Sequence, residues 1–155
     1  MNLVDHKKAR LNYEIVEEFE AGIKLTGPEV KSLRAGQAKL EGSHVIIRPT
    51  GNAGSLEAYI VGMHISPYQA GNALSISDPV VTRKLLFNKK ELVELGVAES
   101  QKGLTLVPLS VYNKGRNIKI KVAIARGKKK YDKRETLKKR DSQREIERTL
   151  KDQHR

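Results

Sequence analysis

The chain contains no cysteine. That removes disulfides, thiolate metal sites and cysteine nucleophiles together, and it fits a reducing compartment. Aromatic side chains are scarce: five Tyr and two Phe, with no Trp, make up 5% of the 155 residues. No stretch approaches the apolar length of a transmembrane helix, and the first eight residues hold no apolar run of the kind a signal peptide needs. The expectation is a soluble cytoplasmic protein without a membrane partner. Acidic residues are in deficit, 18 Asp+Glu against 30 Lys+Arg, a net charge of +12. A surplus of that size points to a polyanionic partner, nucleic acid first. With 38% hydrophobic residues the chain still has enough apolar content for one folded domain plus an extension.

Catalytic signatures are missing as well. His6, His44, His64 and His154 are scattered, with no pair at i,i+4. There is no phosphate-binding GxxxxGK[ST] loop, no GxGxxG turn after a strand and no GxSxG elbow. Glu14, Glu17, Glu18 and Glu20 have the spacing of surface acids along a strand. The sequence therefore reads as a binding protein and not an enzyme, with no catalytic residue, no metal site and no cofactor.

The positive charge is unevenly distributed. Residues 126–155 carry 13 Lys+Arg and 6 Asp+Glu, net +7, whereas the first 125 residues carry net +5. The same tail is almost stripped of apolar side chains, with Leu137, Ile146 and Leu150 the main ones. So few cannot offset the entropy of ordering thirty residues, and a tail disordered in isolation is expected. It has no Pro, and both Ile146/Leu150 and the acid-first pair Glu147/Lys151 sit at i,i+4. The expectation is a segment that becomes helical on a binding surface.

Residues 1–125 read as a compact, mainly β domain. Ile118, Ile120, Val122 and Ile124 alternate with Asn117, Lys119, Lys121 and Ala123, the period of a half-buried strand with a basic outer face. Residues 104–112 form the preceding strand, joined to it by Asn113-Lys114-Gly115-Arg116 as a hairpin turn. Residues 11–25, 43–48 and 56–63 supply further strands, and Pro49-Thr50-Gly51-Asn52-Ala53-Gly54 is a hairpin loop by composition. Thr26-Gly27-Pro28-Glu29 spells a helix-starting capping box, with Gly36 to end the helix. Asp78-Pro79 is expected to open a second helix, and Asn88 with Glu91 a third, ended by Gly96. Short strands with about three short helices inserted suggest a small closed antiparallel barrel of the oligonucleotide-binding (OB) type.

RNA binding needs cations for phosphates and flat faces for bases. The body offers Lys31, Arg34, Arg83, Lys84, Lys89, Lys90, Lys119 and Lys121. Of its aromatics, Phe19, Phe87 and most of Tyr13, Tyr59, Tyr68 and Tyr112 are expected in the core. Tyr131 differs, because it lies beyond the core between Lys128-Lys129-Lys130 and Asp132-Lys133-Arg134, as a stacking group would.

A family resemblance rests on ordered blocks spanning nearly the whole chain. They begin at Lys8-Ala9-Arg10-Leu11-Asn12-Tyr13 and Phe19-Glu20-Ala21-Gly22, and run through Leu25-Thr26-Gly27-Pro28-Glu29-Val30-Lys31-Ser32-Leu33-Arg34-Ala35-Gly36. They continue through His64-Ile65-Ser66-Pro67-Tyr68, Arg83-Lys84-Leu85-Leu86 and Gly103-Leu104-Thr105-Leu106-Val107-Pro108, and close on Gly127-Lys128-Lys129 with Asp132-Lys133-Arg134. In these the chain resembles the SsrA-binding protein (SmpB) family. The resemblance implies an OB-type barrel that binds the tRNA-like domain of transfer-messenger RNA (tmRNA). It also implies delivery of that RNA to stalled ribosomes for trans-translation, with elongation factor Tu engaged indirectly through the aminoacylated RNA. By position, the RNA-holding groups fall on Glu20, Leu86 and Asn88, with Lys31, Ser32 and Arg34 on the short helix. The family's tail occupies the vacant messenger channel and decoding centre, in contact with 16S rRNA. That role falls on Gly127, Lys128, Lys129, Tyr131, Asp132, Lys133 and Arg134. A carboxylate repels phosphate, so Glu20 would accept hydrogen bonds from base amino groups or a 2′-OH, or orient a basic side chain. Two departures stand out: Val80-Val81-Thr82 replaces a segment that often carries a further Arg, and Phe87 replaces a smaller aliphatic. A general ribosome-associated or RNA-binding OB module without tmRNA specificity is the alternative reading.

Overall fold

The computed structural model describes residues 2–51, 54–68, 78–128 and 130–153, of which 130–133, 135, 136, 152 and 153 are described by their backbone alone. In chain order the elements are β1 (Asn2–Asp5), α1 (Ala9–Asn12), β2 (Tyr13–Ile23), α2 (Gly27–Arg34), β3 (Ala38–Lys39), β4 (His44–Pro49) and β5 (Leu56–Val61). They continue with β6 (His64–Ile65), β7 (Arg83–Leu86), α3 (Lys89–Ser100), β8 (Leu104–Lys114), β9 (Asn117–Gly127) and α4 (Lys130–Gln153). Seven strands form one antiparallel sheet in the order β1-β8-β9-β2-β7-β5-β4, and β3 and β6 form a small ladder of their own.

Local signals account for most of these elements. Thr26 Oγ1 accepts from the Glu29 N–H, while Glu29 Oε1 accepts from the Thr26 N–H at 3.0 Å, so the capping box that starts α2 is complete. Asn88 and Glu91 form the same reciprocal pair at the start of α3. Gly115 supplies the positive φ (+63°) of the β8–β9 turn. The apolar row Ile120, Val122 and Ile124 of β9 enters the main core beside Phe19, Leu85, Leu106 and Val111.

Other expectations are corrected. The barrel is not closed: β1 and β4 are the two edges, and each pairs with one neighbour only. The sheet curls far enough to bring β4 near β8, but α3 packs against β4, β5 and β8 through buried Leu95 and Ala98. The Glu99 carboxylate takes the edge N–H of Ile47 at 2.5 Å and binds Arg48 at 2.7 Å. A helix side chain therefore satisfies a donor that strand closure would need. Asp78-Pro79 opens a turn and no helix: Asp78 Oδ1 accepts from the Val80 N–H at 3.0 Å, an Asx-type turn leading into β7. Gly96 does not end α3, which runs on to Ser100. A Cβ there would lie 3.6 Å from both Ile47 and Leu56, an ordinary contact, so Gly96 sits on the face that α3 packs on β4 and β5.

Helix α1, inside a stretch expected to be strand or its approach, covers a second small core of Ala9, Val107, Leu109, Ala123 and Ala125. The outer face of β9 is therefore basic only at Lys119 and Lys121, and becomes apolar beyond them. Arg83 is buried against Glu29 and is no surface cation. The basic tail is present as the 24-residue α4, and every side chain described on it is exposed.

Candidate nucleic-acid interface

Directly opposed residues on antiparallel strands share a face, so the register defines the outer surface of the sheet. Tyr112 of β8 faces Lys119 of β9, Lys119 faces Gly22 of β2, and Gly22 faces Leu86 of β7. One step along, Ser110, Lys121 and Glu20 form a parallel row. Further across the sheet, Tyr59 of β5 faces Lys84 of β7.

The first row opens into a groove of about 330 Å³, bounded by Arg34 of α2, Leu86, Arg116 of the β8–β9 turn, Ile118 and Lys119. Leu86 is 55% exposed, unusual for a leucine in a central strand. Gly22 beside it has no side chain to cover it; a Cβ there would sit 3.4 Å from that of Leu86. The body's ion pairs use Arg10, Arg48, Arg83, Lys84, Lys114 and Lys121. Arg34, Arg116 and Lys119 form none among the described residues. An apolar floor ringed by three cations that form no ion pair among the described residues suits a nucleotide, base inward and phosphate outward.

Glu20 lies one row from this groove, and both its oxygens are engaged: Oε2 accepts from the Tyr112 hydroxyl and Oε1 from Lys114 Nζ at 2.9 Å. Those bonds hold its carboxyl below the usual carboxylate range. Burial together with the Glu20 carboxylate pushes the Tyr112 phenol up to about 12. The same three-part unit recurs on the other side of Leu86. Glu57 accepts from the Tyr59 hydroxyl and from Lys84 Nζ at 3.1 Å. Its carboxyl is lowered by the Tyr59 bond first, and the Tyr59 phenol is raised.

The remaining predicted positions separate. Asn88 caps α3, its Oδ1 accepting from the Glu91 N–H at 2.8 Å. Lys31 is exposed, its Nζ 5.4 Å from the centre of the Tyr68 ring in a cation–π contact. Ser32 is fully buried, with no hydrogen-bond partner for its hydroxyl, and offers RNA no surface. Gly127 ends β9 opposite Tyr13. Lys128 is tied to the body: its N–H donates to the Asn12 carbonyl at 2.9 Å and its Nζ to the Arg10 carbonyl at 3.0 Å, capping the C-terminus of α1. Lys129 and the side chains of Tyr131, Asp132 and Lys133 lie outside the described residues, while Arg134 is exposed at the start of α4. A second cleft, of about 530 Å³, brings Arg140 of α4 to Lys7, Arg10, Glu20 and Lys121.

Sequence reasoning named Lys119 and Leu86 separately but missed Gly22 and Arg116 as parts of one groove. Alternation put Lys119 on the outer face. Nothing local reveals that β2, not β8 alone, lies beside β9. Among the described residues no group of three or more His, Asp or Glu could hold a metal ion, and no helix is long and apolar enough to cross a membrane.

Comparison with known proteins places the chain in a family. The family profile of the SmpB protein matches residues 3–152. The SsrA-binding protein of Leuconostoc mesenteroides is 49% identical over 149 residues, covering 96% of this chain and 92% of that protein. Those of Gloeothece citriformis and Pseudomonas entomophila are each 46% identical over the same share of this chain, covering 92% and 89% of their own lengths. A solved chain described as "tmRNA-SmpB: a journey to the center of the bacterial ribosome" superposes with a TM-score of 0.65 at 41% identity, covering 86% of this chain and 92% of that one. By profile match, by identity over nearly its full length and by fold, the chain belongs to the SmpB family.

Proposed function

We propose that this protein binds the tRNA-like domain of tmRNA through the outer sheet face and the groove at Leu86. It then carries that RNA to stalled ribosomes for trans-translation without catalysing a reaction itself. The observation that carries this reading is the groove, where Arg34, Arg116 and Lys119, with no ion pair among the described residues, stand around an exposed leucine and a glycine. Its relatives are named for binding SsrA RNA, and a solved relative is described with tmRNA and the bacterial ribosome. The body acts as an OB-like curled sheet that grips RNA on its outer face. The tail, with α4 as its helical part, enters the messenger channel and meets 16S rRNA at the decoding centre. Elongation factor Tu joins only through the aminoacylated RNA, and the ribosome places the work in the cytoplasm.

The test is equilibrium binding to labelled tmRNA against excess bulk tRNA at two salt concentrations. Tight binding that survives both competitor and salt is expected, because counterion release weakens non-specific binding much more. Replacing Arg34, Arg116 and Lys119 together by Ala should lower the salt slope by about 3, one for each lost phosphate contact. An unchanged slope would move the RNA elsewhere on the protein. Binding lost to tRNA in the wild type would reduce the function to generic RNA affinity.

A further inference from the structure

The two Glu–Tyr–Lys units on the outer face have a geometry that goes beyond charge neutralisation. Tyr112 is on β8 and Glu20 is on β2, with β9 between them. Neighbouring strands are about 4.8 Å apart, so the Tyr112 hydroxyl spans two spacings, roughly 10 Å from strand to strand. The Glu20 side chain covers part of that distance, and the tyrosine leans over β9 to cover the rest. Tyr59 reaches Glu57, two residues back along its own strand, and its ring leans along β5 in the same way. Both tyrosines are half-buried, so part of each side chain is open to solvent. Each is accompanied by lysines: Lys119 opposite Tyr112, Lys114 on the shared carboxylate, Lys84 opposite Tyr59. The two rings flank the Leu86 groove, four strands apart.

We infer that Tyr112 and Tyr59 are two stacking platforms for unpaired bases of the bound RNA, held in place through their hydroxyls by Glu20 and Glu57, whose own role is to position the rings. Bases stack on aromatic side chains held against a sheet, while neighbouring lysines meet the phosphates. Glu20 thereby gains a role that involves no carboxylate–phosphate contact: both its oxygens are used internally, and RNA feels it through Tyr112. Glu57 and Tyr59 form an equivalent contact point that sequence reasoning did not assign. The inference rests on the outer face being the RNA surface.

The chain has no tryptophan, so Tyr112→Trp and Tyr59→Trp each place one fluorophore at a platform, and Val93→Trp on exposed α3 serves as the control. Binding is followed independently by anisotropy of labelled tmRNA. The expected result is quenching of both platform tryptophans at saturation and none of the control. Tyr112→Ala and Tyr59→Ala should each bind roughly 5- to 150-fold more weakly, with Phe at either position recovering part of the loss. Glu20→Gln should weaken binding in the wild-type background and cost nothing further beside Tyr112→Ala, whereas a direct RNA contact by Glu20 predicts additive losses. Persistent tmRNA binding with no quenching, or full affinity of both Ala variants, overturns the platforms. Additive losses overturn the positioning role of Glu20. If the wild-type protein shows no binding to tmRNA by anisotropy, the RNA-face reading itself fails and the platforms fall with it.

Discussion

A chain ended after Arg126 should hold tmRNA almost as well as the full-length protein at physiological salt, yet support no peptide tagging on stalled ribosomes. The groove, the rows across β8, β9, β2 and β7, and both Glu–Tyr–Lys units lie wholly within the first 126 residues. The removed residues 127–155 carry 12 Lys+Arg and 6 Asp+Glu, net +6 toward RNA attraction, but that part is screened as salt rises. Affinity at low salt should therefore drop with truncation while affinity at higher salt barely changes, and the salt slope should shrink. Losing Lys128 removes two hydrogen bonds that cap α1, about 1 kcal/mol each, so α1 loosens while the main core is untouched. Tagging is a different matter, because a body surface cannot thread an RNA-walled channel and an exposed basic helix can. Tyr131→Ala in the full chain should likewise impair tagging more than RNA binding, by the 1–3 kcal/mol or so that a stacked base is worth. Reconstituted tagging alongside tmRNA titrations at two salts measures both effects. Collapse of tmRNA affinity on truncation would assign the RNA site to the tail.

The largest stability effect is expected at Arg83. Its guanidinium is buried, with Nε on the Glu29 carboxylate, Nη1 on the Met63 carbonyl at 2.8 Å and Nη2 on the Pro79 carbonyl at 3.1 Å. One side chain thus ties α2, the end of β5 and the approach to β7 together. Arg83→Met should cost about 3–5 kcal/mol, because it leaves a buried carboxylate without its partner. That is a fall of roughly 6–20 °C in Tm for a protein of this size. The double variant Arg83→Met/Glu29→Gln should recover part of it, since no orphan charge remains. Glu29 also makes the pair visible in pH. Burial pushes its carboxyl up, but the Thr26 N–H and Arg83 together outweigh burial and hold it below its ordinary 4.5. A carboxyl lowered on folding contributes stability that is complete above its unfolded value and lost as pH falls through the folded one. Wild-type stability should therefore fall with acid below about pH 4.5 more steeply than that of Glu29→Gln. Parallel acid profiles for the two would mean that Glu29 titrates alike in both states.

Much of the secondary structure was legible because its signals are local. The capping boxes at Thr26 and Asn88 work through residues three apart, and the alternation of β9 is set by one strand's own side chains. The errors fell where a distant segment decided the outcome. Gly96 reads as a helix stop, yet α3 runs past it to Ser100, where packing on β4, β5 and β8 supports the helix. Arg83 looked like a surface cation, since nothing near it in the chain indicates that Glu29, Met63 and Pro79 converge on it. Glu20 and Leu86 came to notice through family resemblance, with no physical reason visible in the neighbouring residues.

The amino-acid sequence alone determined a mainly β body with a net-basic, helix-prone tail, the absence of catalytic signatures, and the polyanionic partner. These follow from composition, charge and period, quantities that each residue carries independently of the fold. The tertiary structure alone decided that the sheet stays open, because α3 and Glu99 take the edge of β4. It also decided that Arg34, Leu86, Arg116 and Lys119 share one groove, and that Tyr112 reaches across β9 to Glu20. Strand order is the physical reason: β2 lies between β9 and β7, pairing Gly22 with both Lys119 and Leu86, and only those long-range pairings turn scattered cations and aromatics into one surface.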